Sequence, residues 1–247
     1  MNLASRVAIV TGGGQGIGRA IALKLAQAGA TVVVNDISET ASGVAQEIRS
    51  MNQDSLAVVA DVSSSSDVAR LVETTIATYG KIDILVNNAG INRDQLVIRM
   101  SDEDWDRVLD VDLKSVFLCS RAVTPIMKKQ GRGKIINISS LGGRTGRSGV
   151  GVNYAASKAG VIGLTQTLAR ELGPAGIYVN AIAPGSILTE QTAQYPREVF
   201  ETWIAGRAIQ KTGMPEDVAN VAVFLASSRS DWVTGVTIDV NAGILIR

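Results

Sequence analysis

The sequence predicts one α/β domain over residues 1–247, with a doubly wound parallel sheet of seven strands and helices on both faces. Short β-branched runs recur along the chain, and most are continuously apolar, which is typical of strands buried on both faces. Helical patterns separate these runs, and this alternation builds a parallel sheet through right-handed crossovers. Neither a fixed-period repeat nor a Pro-, Gly- or Ser-rich linker divides the 247 residues.

The predicted elements follow one another in regular order. The strand candidates are 7–10, 31–34, 56–59, 82–86, 134–138, 177–182 and 236–240. The clearest helical patterns are 17–27, 68–77, 105–127 and 155–172. A serine run at 63–66 and the polar run 101–104 have the composition of helix starts, so we interpret both as caps.

The composition excludes several kinds of chemistry. The chain has no histidine, and Cys119 is its only cysteine. Ser-His-Asp and Cys-His catalysis, histidine metal sites and cysteine-rich zinc clusters are therefore excluded, and we predict no metal site. Cys119 lies in an apolar helical stretch, which predicts a core position. An intrachain disulfide cannot form, which suits a reducing cytosol, so we expect a cytoplasmic protein.

Charge and hydropathy also limit the partners. Lys plus Arg number 24 and Asp plus Glu number 23, for a net charge of +1. This balance offers neither a basic footprint for nucleic acid nor a polybasic membrane patch. We see no signal peptide and no apolar stretch of membrane-spanning length, so we expect no membrane association.

A glycine-rich segment, 11–18, joins the first strand to the first helix. Glycines let the backbone turn sharply and approach a pyrophosphate, and the helix N-terminus then offers unpaired N–H groups. A tight turn alone would not require five glycines in seven residues. We therefore predict a dinucleotide site that includes Gly12, Gln15, Gly16, Ile17 and Gly18.

Asp36 stands just past the second strand, 18 residues after Gly18. A carboxylate there can accept both ribose hydroxyls of NAD and repel the extra phosphate of NADP. Gln15 adds no positive charge for that phosphate. The sequence therefore favours NAD(H) over NADP(H), the alternative being that Asp36 caps the helix near Ser38.

Tyr154 and Lys158 are four residues apart on a predicted helix and so share one face. In a chain without histidine, the Tyr154 phenol is the plausible proton donor, and the Lys158 ammonium would pull its pKa down toward the working pH. Ser140 closes the fifth strand, from where a loop could return it to the same site to steady a substrate carbonyl.

These motifs together resemble the short-chain dehydrogenase/reductase family over essentially the whole chain. The resemblance rests on 11–18, 87–90, Ser140, 154–158 and 184–185. It implies a Rossmann-type sheet, a nicotinamide cofactor and a homotetramer, with hydride passing between the nicotinamide and a substrate carbon while Tyr154 exchanges the proton. The cofactor contacts that it implies are Asp61 and Val62 beside the adenine, Asn88, Ala89 and Gly90 beside the fourth strand, Lys158 at the nicotinamide ribose, and Ile187 and Thr189 at the carboxamide. Tyr154, Pro184 and Gly185 complete the implied cofactor contacts.

One position departs from the family pattern. The family usually has Asn in an Asn-Leu-Lys-Ser sequence, where this chain has Asp112 before Leu113. In the family that Asn helps to position a water in the proton relay. Because an ionised Asp accepts from water but cannot donate, we treat Asp112 only as a candidate relay residue.

Within the family, segment 89–94 through Arg99, Met100 and Trp105 looks most like the 3-oxoacyl-[acyl-carrier-protein] reductases. This favours a 3-oxoacyl thioester reductase or the reverse 3-hydroxyacyl dehydrogenase, although such biosynthetic reductases usually take NADPH. Gly131 and Ala175 stand where carrier-docking residues are basic. The alternatives are an NAD-dependent dehydrogenase of a secondary alcohol, polyol or cyclic ketone and, more remotely, a non-catalytic nucleotide-binding protein.

The sequence also supports predictions for two further segments. The family keeps a substrate lid at 186–210, where Tyr195, Phe200 and Trp203 suggest a moderately apolar pocket. The apolar residues 244–246 directly precede the final residue, Arg247, and we interpret them as a subunit contact because an exposed apolar tail is costly.

Overall fold

The sheet is parallel and has seven strands within the part of the chain that the structure describes. The computed structural model describes residues 1–146, 149–190, 192–194 and 197–246. The strand order is β3-β2-β1-β4-β5-β6-β7. The direction of winding reverses between β1 and β4, and in open α/β sheets such a reversal opens a crevice at the carboxyl ends of the strands. The strands are β1 (Val7–Val10), β2 (Thr31–Asp36), β3 (Ser55–Val59), β4 (Ile84–Asn87), β5 (Gly133–Ile138), β6 (Ile177–Pro184) and β7 (Thr237–Val240).

Helices cover both faces of the sheet, as the sequence predicts. One apolar cluster joins the sheet to α1, α2 and α9, and a second joins its other face to α3, α5 and α7. No helix of the described residues is long and apolar enough to cross a bilayer. The helices are α1 (Gly16–Gln27), α2 (Thr40–Ser50), α3 (Ser65–Tyr79), α4 (Asp102–Leu109), α5 (Ser115–Gln130), α6 (Gly142–Thr145), α7 (Val152–Leu172), α8 (Arg197–Ile204) and α9 (Pro215–Ala226).

Both predicted caps are present. The Ser64 hydroxyl accepts from the N–H of Asp67 at 3.4 Å, and the Ser101 hydroxyl accepts from the N–H of Asp104 at 3.1 Å. Each bond satisfies one of the first free N–H groups of its helix. Short 3₁₀ turns at Val97–Arg99, Gly173–Ala175, Thr192–Gln194 and Ser228–Ser230 complete the described elements.

The continuous helix predicted over 105–127 is wrong in one detail. A π-helical turn, Asp110–Lys114, separates α4 from α5. A π turn holds an extra residue, so it rotates the side chains that follow relative to a regular helix. Val111 and Asp112 are buried within this turn. A 3.6-residue periodicity cannot reveal such an insertion.

Cys119 lies in the core, as predicted, and we expect its thiol to be unreactive. Its exposure is 2%, and burial raises its pKa to about 12. The thiolate is the reacting species, so a maleimide should leave the folded protein unmodified at neutral pH. Mass spectrometry after denaturation should show one added label. Labelling of the folded protein at the rate of a free thiol would contradict the assignment.

Candidate active site

A cavity of about 410 Å³ opens at the carboxyl edge of the sheet. Its walls come from the loops after β1, β2, β3, β4, β5 and β6, together with α7. Ser140, Tyr154 and Lys158 line it, and so does every residue that the sequence predicts for the cofactor: Gly12, Gln15, Gly16, Ile17, Gly18, Asp36, Asp61, Val62, Asn88, Ala89, Gly90, Pro184, Gly185, Ile187 and Thr189. Asp112 lies behind this wall, in contact with Lys158.

The glycine-rich loop packs so closely that side chains are excluded. Gly12 has φ +59°, and a Cβ on it would lie 2.8 Å from the Ala89 Cα. A Cβ on Gly18 would lie 2.0 Å from the carbonyl oxygen of Gly12. Real Cβ atoms do not approach oxygen that closely, so the first turn of α1 can sit on this loop only if position 18 is glycine.

Asn88 braces the same loop from the end of β4. Its amide Nδ2 donates to the carbonyl oxygens of Thr11 at 3.0 Å and Gly12 at 2.9 Å. Its backbone N–H donates to the Thr11 hydroxyl at 3.0 Å. The side-chain donors of Asn88 are thus used within the protein, and their hydrogen bonds fix the position of the glycine-rich loop at the cavity.

The N-terminus of α1 fits the diphosphate of a dinucleotide. Gln15 provides no side-chain cap, and no acidic residue occupies the first turn. The first N–H groups of the helix can therefore donate hydrogen bonds to an anion, and the positive end of the helix dipole attracts it. The Thr189 methyl lies 3.5 Å from the point where a Gly16 Cβ would be, so the loop after β6 borders the same space.

The Asp36 carboxylate is engaged in local structure. Its Oδ2 accepts from the N–H of Gly14 at 3.0 Å. Its Oδ1 accepts from the N–H of Ser38 at 3.2 Å and from the Ser38 hydroxyl at 3.0 Å. Asp36 therefore joins the glycine-rich loop to the turn after β2, which matches the alternative interpretation of this residue as a cap near Ser38.

Arg107 also lines the cavity, and the sequence does not predict it there. It donates to the Asp61 carboxylate at 3.3 Å and to the Ser63 hydroxyl at 3.1 Å. Burial opposes ionisation of Asp61, but hydrogen bonds from Ser63 and the Arg107 charge lower its pKa below the ordinary value. Arg107 lies 46 residues from Asp61 in sequence, and neither residue belongs to a local pattern that would pair them.

Ser140, Tyr154 and Lys158 converge on one side of the cavity. The Ser140 hydroxyl accepts from the N–H of Gly142 at 3.0 Å and acts on the Tyr154 phenol in the direction that lowers its pKa. The Lys158 ammonium lies 5.6 Å from the centre of the Tyr154 ring and donates to the carbonyl oxygen of Ile138 at 3.3 Å. The spacing of the two α7 residues and the return of the loop after β5 thus bring these groups together, as the sequence predicts.

Buried polar contacts fix α7 against β5. The Ser139 hydroxyl donates to the carbonyl oxygen of Lys158 at 2.8 Å, and the Asn137 amide donates to the Thr165 hydroxyl at 2.9 Å. A Cβ on Gly143 would lie 2.5 Å from the carbonyl carbon of Lys158. These contacts hold the loop that carries Ser140 close to the part of α7 that carries Lys158.

Asp112 forms a buried ion pair with Lys158. Its Oδ2 lies 3.2 Å from the Lys158 Nζ, and its Oδ1 accepts from the N–H of Ile91 at 2.8 Å. The exposure of Asp112 is 0%. Among the described residues no donor with good hydrogen-bond geometry reaches Oδ2, so the ionic contact is what compensates this oxygen.

The electrostatics of Tyr154 differ from the sequence expectation. Burial raises the pKa of Tyr154, the Lys158 charge lowers it, and the Asp112 charge raises it, with a net rise. Lys158 acts in the predicted direction, but burial and Asp112 outweigh it. For Lys158 itself, burial opposes the charged form, while the Asp112 carboxylate raises the pKa above its ordinary value.

Two segments form the remaining wall of the cavity. Asn92 and Asp94 line it from the loop after β4, and the Asp94 carboxylate accepts from the N–H of Gly151 at 2.6 Å. Trp203 of α8 also lines it, and its ring meets that of Phe200 edge-on at 6.2 Å. Tyr195 lies outside the described residues.

Comparisons with known proteins agree with this architecture. A family model described as enoyl-(acyl carrier protein) reductase matches residues 12–245. The chain belongs to the short-chain dehydrogenase/reductase family, and it is an oxidoreductase that acts on carbonyl or CH–OH groups. The crystal structure of gox2181 superposes with a TM-score of 0.95 at 37% identity, covering 98% of this chain and 96% of that one.

The similar proteins also point to one branch of the family. The chain is 44% identical to 3-oxoacyl-[acyl-carrier-protein] reductase FabG of Staphylococcus aureus, over 97% of this chain and 98% of that protein. It is 44% identical to FabG of Thermotoga maritima over 100% of both chains. A 3-oxoacyl-[acyl-carrier-protein] reductase of Synechocystis is also 44% identical, over 99% of this chain and 98% of that protein. The predicted resemblance is confirmed.

The predicted preference for NAD(H) over NADP(H) is wrong. The FabG reductases to which the chain is similar depend on NADPH. The physical reason for the error lies in Asp36, whose two oxygens accept from Gly14 and Ser38. These hydrogen bonds within the protein are enough to explain a carboxylate at this position. An aspartate after β2 therefore does not by itself distinguish the ribose of NAD from the phosphorylated ribose of NADP.

Proposed function

We propose that this protein reduces the 3-oxo group of an acyl thioester to the 3-hydroxy group. The convergence of Ser140, Tyr154 and Lys158 beside the glycine-rich loop carries the proposal. A reduced nicotinamide, when bound, supplies the hydride. The similarity to 3-oxoacyl-[acyl-carrier-protein] reductases supports the substrate class.

The cofactor residues divide between its two ends. The free N–H groups at the start of α1 receive the diphosphate, and Asp61 and Val62 border the adenine. Asn88, Ala89 and Gly90 line the middle of the site. Lys158 holds the nicotinamide ribose, while Pro184, Gly185, Ile187 and Thr189 border the carboxamide.

The reaction needs one proton as well as one hydride. The Ser140 hydroxyl donates a hydrogen bond to the substrate carbonyl oxygen and orients it. The Tyr154 phenol donates its proton to that oxygen as the hydride reaches the carbon, so a 3-hydroxyacyl thioester and a phenolate result. The Lys158 ammonium stabilises the phenolate by its charge.

The segment 186–210 covers the substrate side of the cavity in this proposal. Trp203 and Val150 line the same cavity as the catalytic groups and add apolar surface to it, which suits the methylene chain of an acyl substrate. The loop after β6 and the helix α8 would open to admit the thioester and close over it.

Two further properties belong to the proposal. Trp232 is 99% exposed and Ile246 is 80% exposed, and apolar surface of this kind supports subunit contacts. We therefore propose a homotetramer, which size-exclusion chromatography with light scattering can test. The lone buried cysteine supports a reducing compartment such as the cytoplasm.

A substrate panel tests the proposed function. Acetoacetyl-acyl-carrier-protein, acetoacetyl-CoA, a cyclic ketone and a simple methyl ketone are compared for consumption of NADPH and, in a parallel series, NADH. We expect the highest kcat/KM with the thioesters. Because Gly131 and Ala175 replace basic residues, the two thioesters also reveal how much the carrier protein contributes.

Two outcomes would contradict the proposal. A higher kcat/KM with a ketone, or with a polyol in the oxidative direction, would identify a dehydrogenase of simple alcohols. No turnover of any compound, despite cofactor binding, would identify a non-catalytic nucleotide-binding protein.

A further inference from the structure

The Asp112–Lys158 pair places a second charge beside the proton donor. Asp112 comes from the π turn and Lys158 from α7, and both are at least nine-tenths buried. Gly90 closes over them: a Cβ there would lie 3.1 Å from the Lys158 Nζ and 3.3 Å from the Asp112 Oδ2. Both side chains of the pair are thus almost fully buried, so their charges act at low dielectric.

The Asp112 carboxylate carries its charge in a close ion pair with Lys158, whose Nζ lies 3.2 Å from Oδ2. Burial raises the pKa of Asp112 above its ordinary value, and the Lys158 ammonium and the Ile91 N–H oppose that rise. Replacing the family's Asn by Asp therefore does more than change a hydrogen-bonding group. It adds a negative charge whose only close positive partner among the described residues is the lysine that acts on Tyr154.

We propose that Asp112 is a positioning residue that anchors Lys158 and, through its charge, keeps the Tyr154 phenol protonated to a higher pH than an asparagine would. The charged groups that act on the phenol come from three elements: Lys158 on α7, Asp112 in the π turn and Asp94 in the loop after β4. Lys158 favours the phenolate, and the two carboxylates oppose it. Asp112 thereby extends the pH range of carbonyl reduction.

The Asp112→Asn variant tests this proposal. It keeps the shape and removes the charge, so the phenol should ionise at lower pH, by about one pH unit. In the pH profile of kcat/KM, the alkaline limb of thioester reduction and the acid limb of hydroxyacyl oxidation should both move down. At a pH above the midpoint, reduction should be roughly tenfold slower than in the unmutated protein. Asp112→Glu, which restores the charge, should return the profile toward the original.

Asp110→Asn is the matched control. Asp110 belongs to the same turn but pairs with Lys114 at 3.0 Å on the exposed side. Its neutralisation should leave the midpoint in place. If both variants shift the midpoint equally, the change in net charge and not the loss of the buried ion pair causes the shift. That result would overturn the proposal.

The inference rests on the proposed role of Tyr154, so the second readout needs neither substrate nor cofactor. The chain has four tyrosines, and the ultraviolet titration of a protein minus that of its Tyr154→Phe counterpart isolates the Tyr154 phenol. We expect the midpoint of this phenol to be lower in the Asp112→Asn variant than in the unmutated protein. An unchanged or raised midpoint would overturn the proposal, whatever the substrate proves to be. If Asp112→Asn does not fold, Asp112→Ser carries the same expectation and the same contradiction.

Discussion

The Tyr154→Phe variant is expected to lose reduction by about 10³-fold in kcat, because it removes the hydroxyl that donates the proton. The aromatic ring stays in place, so its packing against Lys158 should be kept. Cofactor affinity should change little, since the diphosphate is held at the start of α1. The measurements are steady-state turnover of an acetoacetyl thioester and fluorescence titration of the reduced nicotinamide.

Tyr178→Phe is the control for that experiment. Tyr178 lies on β6, where the Lys134 ammonium sits 3.8 Å from its ring centre, away from the cavity lining. Its activity should match that of the unmutated protein. A Tyr154→Phe variant that retains kcat within about tenfold would show that another group donates the proton.

The Gly18→Ala variant is expected to damage both stability and cofactor binding. The added methyl would lie 2.0 Å from the Gly12 carbonyl oxygen and 2.4 Å from the Asn88 Nδ2. Because Asn88 holds that oxygen in place, α1 must move away from the glycine-rich loop. Overpacking of this kind costs about 1–3 kcal/mol of unfolding free energy, and the displaced helix N-terminus should weaken nicotinamide binding by at least about tenfold.

Gly43→Ala is the control, because it replaces a glycine by alanine at a position where the added methyl meets no close contact. Gly43 lies within α2, and no atom approaches its added Cβ within 4 Å. Alanine there should raise the unfolding free energy by roughly 0.5–1 kcal/mol, because glycine is a poor helix former. Thermal unfolding and cofactor titration compare the two variants. Equal Tm values and equal affinities would contradict the close packing described for Gly18.

The sequence predicts most of the fold because the strands are continuous apolar runs. The predicted start and end of β1 match the structure, and the other strands differ by one or two residues at their ends. The catalytic set was also accessible, since Tyr154 and Lys158 are four residues apart on a helix. Local spacing on regular elements is the information that a sequence displays directly.

The rest depends on contacts between distant residues. The π turn places Asp112 on the buried side, and its partner Lys158 follows 46 residues later, so no local pattern joins them. The pairing of Arg107 with Asp61 is missed for the same reason. The net rise in the pKa of Tyr154 depends on burial, which spacing alone does not measure. The prediction from Asp36 is wrong because a carboxylate after β2 can accept hydrogen bonds from a turn as well as from a ribose.

Isotope transfer shows whether hydride from the nicotinamide reaches C3 of the acyl thioester. The protein is incubated with a 3-oxoacyl thioester and a reduced nicotinamide in which both hydrogens at C4 are deuterium, and the product is examined by mass spectrometry. We expect a 3-hydroxyacyl thioester with one deuterium at C3, and loss of that product in Tyr154→Phe. Oxidation of the nicotinamide without deuterium at C3, or unchanged product formation by Tyr154→Phe, would overturn the proposed function.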